Sequence, residues 1–390
     1  MLEACFEEAP AVEYTVTYDA NGATCAVPAS VKVIEGESTV IPAATMTREG
    51  HYFLGWATSK TATAAEYKRG NVVTVTGDIT LYAVWKKQSF KLTFDANGGN
   101  GSVAAITALY GATVTIPKAT LTREGHYFMG WAESATATTA QYKTGNTLTL
   151  TGAKTLYAVW KKQSFKLTFN ANGGKGSVAA ITALYGATVT IPKASLTREG
   201  YYFMGWAESA TATAVQYKTG NTLTLTGAKT LYAVWKAQTR KLTFDANGGT
   251  GTLPATVSVA YGTKATVGKG SLSREGYYFM GWATTKTASA AEYKTNSTIV
   301  LTDNVTLYAV WKVQTKKLSF NVNGGTGTLP ATVTVNYGET AKVGKASVSR
   351  EGYYFLGWAT TQNAIAAQYK TGSEIVMTAD TVLYAVWKKK

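Results

Sequence analysis

The spacing of apolar residues along the chain follows the period of β-strands. In one representative stretch, residues 163–237, polar and apolar side chains alternate over 166–171, 188–192 and 222–226. Alternation with a period of two is typical of a strand with one buried face. Gly-rich and Pro-containing segments separate these runs and indicate turns. We therefore predict short strands at these three places.

Two further segments of the same stretch are apolar on both faces. Residues 201–206 read Tyr-Tyr-Phe-Met-Gly-Trp, and residues 231–235 read Leu-Tyr-Ala-Val-Trp. The first reads as a buried strand rich in aromatic residues, and the burial of both faces of 231–235 indicates a central strand or one covered by a neighbour. Gly205, just before Trp206, predicts a bulge or a close backbone approach. Residues 207–219 are rich in Ala, Thr and Ser and predict a loop or one weak helical turn, so the module is predicted to be mostly β.

This pattern recurs five times, at steps of 75, 75, 76 and 76 residues between equivalent tryptophans. A fixed period of this length indicates tandem modules. We predict a leader at 1–13 and modules at 14–87, 88–162, 163–237, 238–313 and 314–390, arranged as an elongated rod because the connectors are short. All ten tryptophans fall in the repeat and are predicted structural anchors: Trp56, Trp131, Trp206, Trp282 and Trp358 in the first motif, and Trp85, Trp160, Trp235, Trp311 and Trp387 in the second.

Three motifs occur in the same order in each module. In the second module they are Asp-Ala-Asn-Gly-Gly at 95–99, Arg-Glu-Gly through Gly-Trp at 123–131, and Leu-Tyr-Ala-Val-Trp at 156–160. Over about 14–388 the chain resembles the Listeria–Bacteroides repeat family, which includes the internalin B-repeats. The resemblance implies small ubiquitin-like, β-grasp modules, an α+β fold, carried in tandem on bacterial surface or secreted proteins. The first module departs from the motif at Ala23, and the third has Asn170 in place of Asp.

Composition favours folded modules and a basic surface. The chain is 45% hydrophobic and 16% charged, with a net charge of +15. The first 87 residues are net acidic, whereas each of the other four modules is net basic. A basic balance bears on solubility and on anionic partners. A chain with an acidic start and a basic end could also associate with itself head to tail.

Lysines follow the last predicted strand of each module. Either they are solvated junction charges, or they form a series of cationic sites that contact anionic glycans or cell-wall polymers. The candidate contacts are Lys86, Lys87, Lys161, Lys162, Lys236, Lys312, Lys388 and Lys389. Nucleic acid is not an expected partner, because the chain has no recognisable nucleic-acid-binding module. No apolar run is long enough to span a bilayer.

No metal ion or cofactor is expected from the sequence. His51 and His126 occupy a position that holds Tyr201 in the third module, so we interpret them as aromatic filler, and they are too few for a zinc site. Residues 95–99 half match a calcium loop, but Ile106 stands where the bidentate Glu belongs, which favours a plain hairpin turn.

The remaining candidate chemistry also has a structural interpretation. Arg123-Glu124, which recurs in all five modules, is predicted to form a turn with a local ion pair, with a binding loop as the alternative. The aromatic stripe at 201–206 could stack on sugars if exposed, but we expect it in a core. Cys5 and Cys25 could pair, or Cys5 could be a free thiol or an anchor.

Every polar residue of interest recurs in five copies, and none forms a unique cluster, so we do not expect an enzyme. The leading hypothesis is a stalk or adhesive segment of a bacterial surface or secreted protein, with an extracellular or cell-surface location. The alternatives are a multivalent binder of anionic polysaccharide and a subunit that assembles head to tail into filaments.

Overall fold

The structure is a computed structural model and describes residues 9–390. All regular secondary structure in this range is β-strand. The chain divides into two compact units. The first contains residues 9–168 together with 180–190 and 222–229, and the second contains 169–179, 191–221 and 230–390.

Each of the first three repeats contains six strands, and each of the last two contains eight. The first two repeats contain β1 (Glu13–Asp19), β2 (Val31–Ile34), β3 (Ser38–Val40), β4 (His51–Ala57), β5 (Val72–Thr74), β6 (Ile79–Lys87), β7 (Ser89–Asp95), β8 (Ile106–Leu109), β9 (Ala112–Thr115), β10 (His126–Ala132), β11 (Thr147–Leu150) and β12 (Lys154–Lys162). The third contains β13 (Ser164–Asn170), β14 (Ile181–Leu184), β15 (Ala187–Thr190), β16 (Tyr201–Ala207), β17 (Thr222–Leu225) and β18 (Lys229–Ala237).

The fourth and fifth repeats follow the same plan with one additional short strand pair each. The fourth contains β19 (Thr239–Asp245), β20 (Thr250–Thr252), β21 (Val257–Ala260), β22 (Thr263–Thr266), β23 (Ser271–Ser273), β24 (Tyr277–Ala283), β25 (Thr298–Leu301) and β26 (Val305–Val313). The fifth contains β27 (Thr315–Asn321), β28 (Thr326–Thr328), β29 (Val333–Asn336), β30 (Thr340–Lys342), β31 (Ser347–Ser349), β32 (Tyr353–Ala359), β33 (Glu374–Val376) and β34 (Thr381–Lys389). The strands predicted for the third repeat are present, but β14 was not predicted.

A four-stranded sheet forms the main layer of the repeats. In the first repeat the strand order is β2-β1-β6-β4, and the equivalent order is found in the second, fourth and fifth. The two central strands run parallel, with Val16 opposite Ile79, whereas both outer pairs are antiparallel. A two-stranded sheet, β3 with β5, completes the repeat. In the third repeat β13 pairs with β14 and β15 with β17 in the first unit, and β16 pairs with β18 in the second.

The core of each repeat is built around the first-motif tryptophan. Trp131 is fully buried, and its ring centroid lies 4.9 Å from that of Phe94 and 5.3 Å from that of Phe128. Leu156 and Ala158 of the central strand β12 lie in the same cluster. The central position of this strand explains why its sequence is apolar on both faces, as predicted.

The glycine before the first-motif tryptophan marks a bulge, as predicted for Gly205 in the third repeat. At Gly205 the pairing of β16 with β18 shifts register after Phe203, and Gly205 has φ 143°. A Cβ atom there would lie 2.8 Å from the carbonyl oxygen of Tyr217. Trp206 donates its backbone N–H to that same oxygen over 2.8 Å. The bulge therefore brings the loop of residues 207–219 close to the strand.

The prediction of an α+β, β-grasp module is wrong, because residues 9–390 contain no helix. A β-grasp fold needs a helix packed across the sheet, and the best candidate segment, 207–219, forms turns instead. Its last residues are held at the strand, where Gln216 and Tyr217 both donate backbone N–H groups to the carbonyl of Trp206. The segment also has no apolar stripe with which a helix could pack. The repeats are all-β.

The Asp-Ala-Asn-Gly-Gly motif forms a turn, as predicted, but not a tight hairpin, since β7 ends at Asp95 and its antiparallel partner β8 begins only at Ile106. Asn97 has a left-handed backbone, with φ 48°, and its N–H donates to Asp95 Oδ1 over 2.7 Å. The Asn97 side-chain amide donates to the carbonyls of Ala135 and Ala158 at 2.8 and 2.9 Å. The motif therefore attaches this turn to the central strand.

Candidate functional site: the junctions and the lysine-bearing strand

The connectors between repeats contain one recurring glutamine. Gln88 donates its backbone N–H to Gly50 O over 2.8 Å, and its own carbonyl accepts the N–H of Tyr110 over 2.8 Å. Gly50 belongs to the first repeat and Tyr110 to the second, so this residue is hydrogen-bonded to both neighbours. The same pair of backbone bonds occurs at Gln163, Gln238 and Gln314.

A tyrosine of the following repeat packs on the glycine of the Arg-Glu-Gly motif. A Cβ atom at Gly50 would come within 2.0 Å of the Tyr110 ring, so any side chain there would require the ring or the backbone to move. The ring centroid of His51 lies 5.9 Å from that of Tyr110, and Tyr201 makes the same contact with Tyr261 at 5.9 Å. The histidine packs where a tyrosine packs in another repeat, as the aromatic-filler interpretation predicts.

A carboxylate completes each junction. Glu49 accepts a hydrogen bond from the Tyr110 hydroxyl, and this bond raises the pKa of the phenol above its ordinary value of 10.0. Glu124 acts in the same way on the pKa of Tyr185. The Tyr337 hydroxyl also donates to Glu275, and this bond raises the pKa of Tyr337. Burial, followed by the charge of Glu199, raises the pKa of Tyr261.

The local ion pair predicted for Arg123-Glu124 is not formed, because the two side chains have different partners. Arg123 donates from Nη1 to the carbonyl of Asn97 over 3.3 Å, whereas Glu124 contacts Tyr185. In the third repeat the Arg198 guanidinium lies 4.1 Å from the ring centre of Tyr201. Glu124 and Gly125 instead contact Tyr185 of the next repeat, and the alternative, a binding loop, stays a prediction.

The two tryptophan sets differ in their environment. The first-motif tryptophans are 0–1% exposed. The second-motif tryptophans, such as Trp160, are half-buried, and the Trp160 indole N–H donates to Ala96 O over 2.9 Å. The Trp160 ring would also lie 2.3 Å from a Cβ atom at Gly99. Both sets therefore have structural contacts in the fold.

The predicted polyanion-contact lysines all lie on the exposed surface: Lys86, Lys87, Lys161, Lys162, Lys236, Lys312, Lys388 and Lys389. Five of them lie directly opposite an exposed tyrosine on the neighbouring strand. The pairs are Tyr52 with Lys86, Tyr127 with Lys161, Tyr202 with Lys236, Tyr278 with Lys312, and Tyr354 with Lys388. These tyrosines are 56–59% exposed. The aromatic stripe, which was predicted to lie in a core, is therefore exposed to solvent at this position.

The junction residues Gln88 and Tyr110 were not predicted from the sequence. Their equivalents recur in modules two to five, but the first module has Val12 and Glu35 at these positions. The backbone bond is retained there, since Glu35 N–H donates to Val12 O over 2.8 Å. A side chain that recurs in every module except the first is the signal that would have indicated a contact with a preceding module.

No candidate metal site is found among residues 9–390, where no three His, Cys, Asp or Glu side chains lie close enough together to hold an ion. The same part of the chain has no helix that could cross a membrane. Cys25 is half-buried against the first core, and Cys5 lies outside the described residues. Most of the leader predicted at 1–13 lies outside them as well, and β1 already begins at Glu13.

The geometry defines a tandem array of small all-β repeats joined by one recurring junction. The sequence pattern of the Listeria-Bacteroides repeat domain matches five segments, residues 14–84, 90–159, 165–234, 241–310 and 317–386. The chain belongs to this family, as its resemblance predicted. The module boundaries given above, which include the connectors, stay a prediction.

Proteins of two bacteria are similar in sequence to parts of this chain. A protein of Evansella cellulosilytica, provisionally named as a membrane protein, is 32% identical over 78% of the chain. A second protein of that organism, provisionally named as a Gly-rich membrane protein, is 30% identical over 80% of it. Internalin H of Listeria monocytogenes is 29% identical over 38%. The matched region spans 45%, 35% and 25% of the length of these three relatives.

Proposed function

We propose that the array is a non-enzymatic stalk segment of a bacterial surface or secreted protein, which sets the distance and orientation of whatever it carries. The recurring junction is the observation that supports this proposal. At each of the four connectors a glutamine is bonded to both neighbours, and a tyrosine packs on a glycine. Such contacts restrict the angle between adjacent repeats, which a loose linker would leave free. The family and the names of the relatives support a surface location.

The test removes the junction tyrosines and measures segmental freedom. The variant carries alanine at Tyr110, Tyr185, Tyr261 and Tyr337. The matched control carries alanine at the exposed sheet tyrosines Tyr52, Tyr127, Tyr202 and Tyr278. Spin labels in adjacent repeats should give a narrow distance distribution in the parent and in the control, and a broad one in the junction variant. Equally broad distributions in the parent and the junction variant would contradict the stalk proposal.

A second candidate function is multivalent binding of anionic polysaccharide. The five exposed tyrosine–lysine pairs favour it, because an aromatic face beside an ammonium group suits an acidic sugar. Repetition along the chain would raise the affinity for a polymer by about 10²–10⁴ where several sites engage together. Retention on a heparin column that falls steeply with salt would support this function.

The third candidate, head-to-tail assembly, stays a prediction that the junction chemistry does not favour. The first repeat has Glu35 where the later repeats have the tyrosine that packs on glycine. Light scattering at low and high salt, on the full chain and on a chain that starts at Val12, tests assembly through the acidic leader. A monomer under every condition would exclude it.

A further inference from the structure

A surface groove lies beside the bulge of the second repeat. Its volume is about 570 Å³, and its wall includes Met129, Lys143, Trp160 and Lys161 together with the small residues of the loop 137–140. The bulge creates the groove, because the pairing of β10 with β12 skips from Phe128 to Gly130. Met129 is the unpaired residue, and its side chain is 41% exposed.

The groove combines an apolar floor with two cations. Met129 and the half-buried Trp160 supply the apolar surface, and the exposed Lys143 and Lys161 supply ammonium groups. No acidic residue contributes to the wall, and among residues 9–390 neither lysine forms an ion pair. Both charges are therefore available to an anionic ligand, and Tyr127 extends the surface next to Lys161.

The other repeats have equivalent residues at the same positions. Each has Leu or Met at the bulge, the second-motif Trp, and two lysines that are exposed in the structure. The sets are Leu54, Lys68, Trp85 and Lys86; Met204, Lys218, Trp235 and Lys236; Met280, Lys294, Trp311 and Lys312; and Leu356, Lys370, Trp387 and Lys388. Each repeat therefore carries the same set of side chains at this surface, and such repetition is suited to a polymeric ligand with repeating anionic units.

We propose that the groove of the second repeat, and the equivalent surface of each other repeat, binds one acidic sugar residue of an anionic polysaccharide. The two ammonium groups would contact its carboxylate or sulfate, and the C–H face of the ring would lie on the methionine and the adjacent aromatic edge. A polyanion without a ring would contact only the lysines. This inference rests on the second candidate function above and assigns residues to it.

The experiment compares three full-length variants by calorimetry with a heparin oligosaccharide. The first neutralises the groove lysines (Lys143→Gln, Lys218→Gln, Lys294→Gln, Lys370→Gln). The second is the matched control. It neutralises the exposed lysine at the third position of the first strand in each of the same repeats (Lys91→Gln, Lys166→Gln, Lys241→Gln, Lys317→Gln). The third makes the methionine part of the apolar floor polar and keeps every charge (Met129→Ser, Met204→Ser, Met280→Ser). Polyphosphate and neutral dextran are the comparison ligands.

Loss of the groove lysines should weaken heparin binding about tenfold or more, whereas the control lysines should change it about twofold or less. The serine variant should weaken heparin binding and leave polyphosphate binding unchanged, because only the sugar uses the apolar floor. Dextran should not bind. Equal losses in both lysine variants would contradict the proposal that the groove is the binding site, and so would a serine variant that binds heparin like the parent. Either result would leave the more general proposal of polysaccharide binding standing. A parent chain that binds no heparin would overturn both.

Discussion

The ring of Tyr110 lies on the backbone of Gly50 so closely that a Cβ atom at Gly50 would come within 2.0 Å of it. Equivalent approaches of 2.0–2.1 Å occur at Gly125 with Tyr185, Gly200 with Tyr261, and Gly276 with Tyr337. The glycine of the Arg-Glu-Gly motif thus meets two requirements. It has a positive φ, 65° at Gly50, and it leaves space for a neighbouring repeat. Only the second involves another module.

The two requirements can be separated by a pair of alanine substitutions in the second repeat. Gly125→Ala should destabilise the junction through backbone strain of about 1–3 kcal/mol and overpacking of about 1–3 kcal/mol. Gly145→Ala is the matched control, because Gly145 has φ 82° but no atom within 4 Å of its Cβ position. Hydrogen exchange should rise at the junction with the third repeat only in Gly125→Ala. The same exchange pattern in both variants would mean that the tyrosine contact carries little energy.

The junctions should also weaken at alkaline pH. The hydrogen bond from Tyr110 to the Glu49 carboxylate raises the pKa of the phenol, because it needs the neutral hydroxyl. A group whose pKa is higher in the folded state contributes its full stability below the unfolded-state pKa, and this is lost as the pH rises through the folded-state pKa. We therefore expect junction stability to be constant up to about pH 9 and to fall above about pH 10.

Phenylalanine substitutions isolate this effect. Replacement of Tyr110, Tyr185, Tyr261 and Tyr337 by Phe should flatten the alkaline decrease, measured as the urea midpoint between about pH 8 and pH 11. The control replaces Tyr52, Tyr127, Tyr202 and Tyr278 by Phe and should retain the decrease. If the two sets respond alike, general alkaline unfolding and not the junction explains the loss.

Strand positions were predictable from the sequence because they depend on local alternation. The strand predicted at 201–206 is β16 (Tyr201–Ala207), and the bulge at Gly205 was predicted from one residue. The junction was not predictable in the same way. Glu124 contacts Tyr185, which is 61 positions further along the chain, and no local period indicates such a contact. The family resemblance implied a helix that is absent. That expectation rested on analogy of fold, whereas residues 207–219 have no apolar stripe with which a helix could pack.

The buried tryptophan of the third repeat should dominate the stability of that repeat. Trp206 is fully buried, and its ring lies 4.9 Å from that of Phe169 and 5.3 Å from that of Phe203. Trp206→Ala should cost about 3–5 kcal/mol, the usual range for a buried aromatic residue. Tyr202→Ala, at a position that is 58% exposed, should change stability by about 0.5 kcal/mol or less. Repeat-resolved hydrogen exchange measures both, and similar costs would contradict the buried assignment.

The Asn-Gly turn allows backbone strain to be separated from hydrogen bonding. Asn97 combines a φ of 48° with two side-chain hydrogen bonds, to Ala135 O and Ala158 O. Asn97→Gly keeps the favourable backbone and removes both bonds, so it should cost about 1–3 kcal/mol. Asn97→Ala removes the same bonds and adds the left-handed penalty of about 1–2 kcal/mol. Exchange of the amides in the second repeat should therefore rank parent, glycine and alanine in order of decreasing protection. Equal protection in the glycine and alanine variants would show that the turn relaxes to a negative φ, and that the side-chain bonds alone select asparagine.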